Sequence, residues 1–164
     1  MKKCRFLQSE IKYLGHRIDK NGIHPCSDKI LAIKNSSSPK SLKELKAFLG
    51  AIGYYSKFIP MLHSHCSELY RLTQKNTKFN WTKKHEAIFQ ALKDRLTSDD
   101  SLVHYNPSLP LILRTDASNV GIGAVLLHLT KDNIEMPIMY ASRTLRDGEK
   151  NFYTTDKEAL SIVF

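Results

Sequence analysis

Three apolar runs follow one another closely between residues 109 and 142. They read Leu109-Pro110-Leu111-Ile112-Leu113-Arg114-Thr115, then Gly121-Ile122-Gly123-Ala124-Val125-Leu126-Leu127-His128-Leu129, then Met136-Pro137-Ile138-Met139-Tyr140-Ala141-Ser142. Each has the length of a strand, and Lys131-Asp132-Asn133 supplies turn chemistry between the second and third. Connections this short join antiparallel neighbours, so the pattern predicts an antiparallel meander whose first strand ends at Asp116. Behind it, Thr154-Thr155-Asp156-Lys157-Glu158 opens a helix. Thr155 stands three residues before Glu158, the spacing of a capping box. Leu160, Ile162, Val163 and Phe164 follow with no polar stop, the pattern of a helix that is cut rather than finished.

Upstream the period is different. Residues 6–24 predict a β-hairpin: Ile11, Tyr13 and Ile18 are strand formers, and Asp19-Lys20-Asn21-Gly22 suits a turn with φ > 0. Ser27-Asp28 opens a short helix through Lys34. Ser41 and Glu44 have capping-box spacing, and Leu42, Leu45, Phe48, Leu49, Ile52 and Ile59 recur at helical spacing behind them. Gly50 and Gly53 lie inside this helix, at ~1 kcal/mol each relative to Ala. They leave a smooth groove that a backbone can approach, with the Tyr54-Tyr55 pair beside it. Pro60 ends this helix or starts the next. Leu62, Cys66, Leu69 and Leu72 or Thr73 mark a second amphipathic helix. A third begins near Thr82, a candidate N-cap, and turns Ile88, Phe89, Leu92 and Leu96 inward.

The chain has 164 residues and a formal net charge of +9. The charge is uneven. Residues 1–97 hold 19 Lys+Arg against 7 Asp+Glu, a net of +12; residues 98–164 hold 6 against 9, a net of −3. The break predicts two units, 1–97 and 98–164. A +12 segment fits a polyanionic partner such as nucleic acid, or a solvated basic face without one. At 41% apolar and 25% charged, the chain is globular and not a disordered tail. No apolar stretch approaches the ~20 residues of a membrane span. Cys4-Arg5-Phe6-Leu7-Gln8-Ser9-Glu10 supplies no apolar core for a secretory signal. Cysteines at 4, 26 and 66, with no C-x-x-C, predict a reduced intracellular protein, cytoplasmic or nuclear and not secreted.

Asp116 and Glu158 are the sharpest pair for chemistry: one at a strand end, the other in the first turns of a helix, 42 residues later. Carboxylates so placed can start a divalent-metal site, since magnesium takes a few carboxylates plus waters and phosphate. On the residues alone the plainer reading, a turn residue and a capping carboxylate, is the favoured one. His63, His65 and Cys66 lack the fourth ligand that a structural zinc needs. Phe79 and Trp81 read as core anchors.

The chain resembles, nearly end to end, a stretch of the Pol polyprotein of gypsy-class long-terminal-repeat retrotransposons and their retroviral relatives. Lys3-Cys4-Arg5-Phe6, Ile11-Lys12-Tyr13-Leu14-Gly15-His16 and Asn21-Gly22-Ile23 resemble the segment that closes the reverse transcriptase palm and forms the primer grip. Phe48-Leu49-Gly50-Ala51-Ile52-Gly53-Tyr54-Tyr55-Ser56-Lys57-Phe58-Ile59 resembles the family's thumb helix. Phe79-Asn80-Trp81-Thr82 and Phe89-Gln90-Ala91-Leu92-Lys93 resemble its connection. Thr115-Asp116-Ala117-Ser118, Gly121–Leu126, Tyr140–Leu145, Glu149–Tyr153 and Asp156–Leu160 resemble the opening half of its ribonuclease H domain. Three positions depart from the family's habit: His128 for a glutamine, Phe164 for a tryptophan and Gly53 for an asparagine.

The resemblance implies an α+β fold: a β-hairpin and a basic helical thumb and connection, then a truncated ribonuclease H-like three-stranded meander with a helix. It implies an RNA-directed DNA polymerase and a ribonuclease acting on RNA–DNA hybrids. Asp116 and Glu158 become catalytic carboxylates binding two magnesium ions, with manganese as a substitute. Leu14, Gly15, His16, Gly50, Gly53, Tyr54 and Lys57 become contacts to an RNA–DNA hybrid or DNA template–primer. The remainder of the Pol polyprotein is the other partner implied. The family's Tyr-x-Asp-Asp polymerase motif is absent, and its two later nuclease aspartates would follow Phe164, so the expectation is an internal fragment that is inactive alone. The rival readings are a non-catalytic nucleic-acid-binding module and a domesticated interaction protein.

Overall fold

The computed structural model describes residues 6–97 and 101–164. Lys3, Cys4 and Arg5 of the primer-grip-like segment lie outside the described residues, as does the expected unit boundary at 98.

Residues 6–25 form three strands rather than the two expected. They are β1 (Glu10–Tyr13), β2 (His16–Asp19) and β3 (Ile23–Pro25), antiparallel in the order β1-β2-β3. The turn at residues 20–22 is present between β2 and β3. The second turn, Leu14-Gly15, escapes sequence reading because Leu is a poor left-handed residue. Both residues take positive φ, 42° and 69°, as a two-residue hairpin turn demands.

Helix α1 (Ser27–Lys34) has the predicted span, but Cys26 precedes it and no side chain caps it. Helix α2 (Leu42–Tyr54) starts as predicted: Ser41 Oγ accepts from the Glu44 N–H. The Glu44 carboxylate reaches back to the Lys40 N–H at 2.8 Å, one residue earlier than in a capping box. A 3-10 turn (Ser56–Phe58) follows, and Met61 adopts a left-handed conformation with φ 49°. The predicted second helix is broken in two, α3 (Leu62–His65) and α4 (Ser67–Arg71), yet Leu62, Cys66, Leu69 and Leu72 still face inward. Helix α5 (Lys83–Thr97) begins just past Thr82, whose N–H donates to His85 Nδ1.

The second sheet is β4 (Leu111–Ala117), β5 (Gly121–Leu129) and β6 (Glu135–Thr144), antiparallel in that order. Directly paired residues share a face, so Asp116, Gly123 and Ser142 lie in one row across all three strands. Helix α6 (Thr154–Val163) packs on β4 and β5. Its flanking residue is Tyr153, and Thr155 lies inside the helix without capping it. The sequence motif misleads there because the chain turns helical two residues early.

One core joins the helices. Leu45, Ile52, Leu62, Leu69, Phe89 and Leu92 are almost wholly enclosed, and the Phe48 and Phe89 rings meet at 4.5 Å. Each such side chain contributes roughly 1.5–3 kcal/mol by leaving water. Phe79 and Trp81 pack against this core, with Trp81 Nε1 donating to Glu86 at 2.8 Å.

The two sheets are tied to the helical unit at specific points. Leu102 bridges Ile23, and Gly22 sits so close beneath it that a Cβ would lie 2.0 Å from the Leu102 carbonyl oxygen. The 3-10 turn and α3 lie against β6, where His63 Nδ1 meets Ser142 Oγ at 3.0 Å. Among the described residues no helix is long and apolar enough to cross a membrane.

Candidate nucleic-acid interface

The Leu14-Gly15 turn lands on the end of α2. Tyr54 and Tyr55 are adjacent, so their side chains leave the helix about a third of a turn apart and straddle the turn. The Tyr54 phenol donates to the Leu14 carbonyl, and the Tyr55 phenol donates to the Gly15 carbonyl at 3.1 Å. Gly15 is tightly covered: a Cβ would stand 3.3 Å from the Tyr54 ring, which would have to give by a few tenths of an ångström. His16 stacks on Tyr54 at 5.4 Å and meets Tyr55 and Phe58 at 5.8 and 5.7 Å.

His16 and Lys57 are partly shielded from water here. Burial, and then the Lys57 charge, lower the His16 pKa below its usual 6.5. Burial alone lowers that of Lys57, whose Nζ lies 5.3 Å from the centre of the Phe58 ring. His16 Nδ1 is buried with no hydrogen-bond partner. A proton on this ring would therefore be unwelcome in the folded state.

Gly50 and Gly53 face open space: nothing lies within 4 Å of where a Cβ on either would stand. The exposed side of α2 also carries Lys43, Lys46 and Ala47. Positions 43, 46, 50 and 53 recur every three or four residues, the spacing of one helix face, and Lys57 follows on the 3-10 turn. Five of the expected contacts, Leu14, Gly15, His16, Tyr54 and Lys57, thus come together, and Gly50 and Gly53 lie along the approach. Sequence reading missed Lys43 and Lys46, though their helical spacing from Gly50 was there to find. It also left Tyr55 out of the contact set.

The expected carboxylates are separate from this cluster. Asp116 is exposed on β4 and lines a hollow of about 120 Å³ with Pro60, Met61, Arg114 and Tyr140. Glu158 is half-buried on α6 and is not among the hollow's lining residues. Neither carboxylate makes a salt bridge among the described residues, whereas Glu149 is bound by Arg143 at 2.7 Å and its pKa falls to about 2. No group of three His, Cys, Asp or Glu side chains that could hold a metal occurs among the described residues. At the His63, His65 and Cys66 cluster, burial pushes the Cys66 thiol up to about 12, against metal binding.

Residues 81–164 match the RNase H-like domain found in reverse transcriptase. The chain belongs to that family. The Tf2-3 and Tf2-4 transposon polyproteins of Schizosaccharomyces pombe are each 35% identical to it over 161 residues, which is 98% of this chain. The chain spans 12% of the length of those polyproteins. Two solved structures of the foamy viral protease-reverse transcriptase are similar at 26% identity over 99% of this chain. The one in complex with an RNA/DNA hybrid has a TM-score of 0.79 and the one in complex with dsDNA 0.80; this chain covers 22% and 34% of them. The likeness to these larger proteins takes in the hairpin and the basic helices as well.

Proposed function

We propose that this chain is the primer-grip, thumb and connection part of a retrotransposon reverse transcriptase, joined to the first half of its ribonuclease H domain, and that it binds a template–primer duplex. The observation that carries this reading is the docking of the Leu14-Gly15-His16 turn on Tyr54 and Tyr55. It fixes a backbone turn beside a helix face of lysines and open glycines. Such a face admits a sugar–phosphate backbone closely, and lysines supply sequence-independent attraction to phosphate.

In the whole enzyme the same reading gives RNA-directed DNA synthesis and hydrolysis of the RNA strand of RNA–DNA hybrids. Asp116 and Glu158 would hold divalent magnesium or manganese. Both are hard oxygen donors without a salt bridge among the described residues, which suits that ion type. Two carboxylates fall short of the set that two ions need, and the rest would come from elsewhere in the polyprotein. Bound there, magnesium would activate water and stabilise charge on the phosphodiester.

Binding of a labelled RNA–DNA hybrid to the full chain, followed by fluorescence anisotropy across salt, tests this. A steep fall of log K with log salt is expected, because each neutralised phosphate releases counterions. Affinity that stays level between about 50 and 200 mM salt, or that survives Lys43→Ala with Lys46→Ala and Lys57→Ala, removes the basis of the reading.

A further inference from the structure

A cavity of about 730 Å³ lies where the helices meet the second sheet. Its size suits a small-ligand site. Residues of α3 and α4 form one wall, and the end of β6 with the segment after it forms the other. It shares no lining residue with the turn–tyrosine cluster or with the Asp116 hollow.

The first wall is aromatic. His63 and Tyr70 lie ring on ring, 5° apart in plane and 5.9 Å between centres. Ser142 holds the imidazole through Nδ1. Leu145 and Val120 add apolar surface. The rim is cationic. Glu68 is already matched by Arg71 at 3.4 Å and Lys84 at 3.1 Å, and Asp147 by Lys150 at 2.7 Å. Arg146 lines the cavity too and makes no salt bridge among the described residues, though its charge also acts on Glu149. An aromatic wall beside guanidinium groups is the chemistry of base stacking combined with phosphate binding.

We propose that this cavity binds a nucleoside monophosphate unit of a single strand, with its base along the cavity side of the His63–Tyr70 pair and its phosphate on Arg146 and on Arg71, whose partner Glu68 is also held by Lys84. The inference rests on the nucleic-acid reading above and adds to it a single-strand site apart from the duplex face of α2.

The test titrates the full chain with a 3′-labelled tetrathymidylate, with free AMP, and with a blunt RNA–DNA hybrid in parallel. The tetranucleotide is expected to bind, and AMP to bind at least tenfold more weakly. Arg71→Ala with Arg146→Ala should weaken the tetranucleotide at least tenfold, and the Lys pair at the same positions should restore part of that loss. Both arginines are exposed, so thermal melting of each variant should match the parent chain. No tetranucleotide binding, or binding within twofold of the parent in the double Ala variant, overturns the proposal. Equal affinity for AMP overturns the strand assignment in favour of a free-nucleotide site. The hybrid arm separates the two readings: hybrid bound without tetranucleotide removes this site alone, and tetranucleotide bound without hybrid removes the duplex face alone.

Discussion

The Tyr55 phenol donates to the Gly15 carbonyl at 3.1 Å, joining the tip of a hairpin to the end of a helix 40 residues away. Gly15 is suited to this role twice over. Its φ of +69° is one that other residues adopt at a cost, and a Cβ there would press on Tyr54. Gly15→Ala is therefore expected to lose ~1–2 kcal/mol from the left-handed backbone alone. Duplex affinity should fall with it, because the turn would leave the tyrosines. Urea unfolding and hybrid anisotropy on the same variant check this; unchanged stability would show that the turn is not held as described.

Acid should destabilise the protein below neutrality. Burial lowers the pKa of His16, His63 and His65 from the usual 6.5; Lys57 adds to the effect at His16 and Arg95 at His65. The sign follows from linkage. The unfolded chain takes up these protons first, near pH 6.5, while the folded chain resists them. Stability is therefore full above that pH and is lost as pH falls through the lowered folded values. Melting temperature measured from about pH 8 to pH 5 should drop over the lower half of that range. A flat profile, or a parallel drop in a His16→Gln, His63→Gln, His65→Gln variant, would count against these residues as the cause.

Much of this was legible in the sequence, for definite reasons. The strands β4 to β6 announce themselves through apolar runs and a polar turn, and β5 spans Gly121–Leu129 as expected. The inward faces of α2 and α5 follow from helical spacing. The Leu14-Gly15 turn was hidden because its left-handed Leu is stabilised by tyrosines 40 residues distant, which no local pattern reveals. The break between α3 and α4 was hidden because the apolar spacing runs on through it. At the candidate site, family motifs picked out Leu14, Gly15, His16, Tyr54 and Lys57, but only the fold shows that they adjoin. The cavity beside Tyr70 has no sequence signature, since its walls come from residues 63–74 and 120–150.

Gly123 and Met61 offer a sharper probe of how the helices meet the second sheet. A Cβ on Gly123 would stand 1.9 Å from Met61 Sδ, so the methionine occupies the space that any side chain would need. Overfilling of this kind costs typically about 1–3 kcal/mol. Gly123→Ala should destabilise by up to that amount, less if the methionine swings aside, and Met61→Ala in the same chain should recover part of the loss. The readout is a double-mutant cycle on unfolding free energies. Strict additivity of the two changes would mean that the side chain at 61 does not fill the space over Gly123.

The 164-residue chain is expected to leave an RNA–DNA hybrid intact, even with magnesium in excess. Asp116 and Glu158 are two donors, and no group of three His, Cys, Asp or Glu side chains that could hold a metal occurs among the described residues. The helix that carries Glu158 is also poorly seated. Ile162 and Val163 are 61% and 78% exposed and Phe164 39%, so much of its apolar end faces water. A loosely held carboxylate misplaces its metal, and ~1 Å of error can itself cost ~100-fold in rate. Adding the family's remaining nuclease segment should both cover those side chains and bring the missing ligands. Cleavage should then appear, and Asp116→Asn should abolish it while hybrid binding persists. The measurement is a gel assay of labelled hybrid on the short and extended chains. Cleavage by the short chain, abolished by Asp116→Asn, would show that the site is already complete and that these two carboxylates suffice to hold the metal.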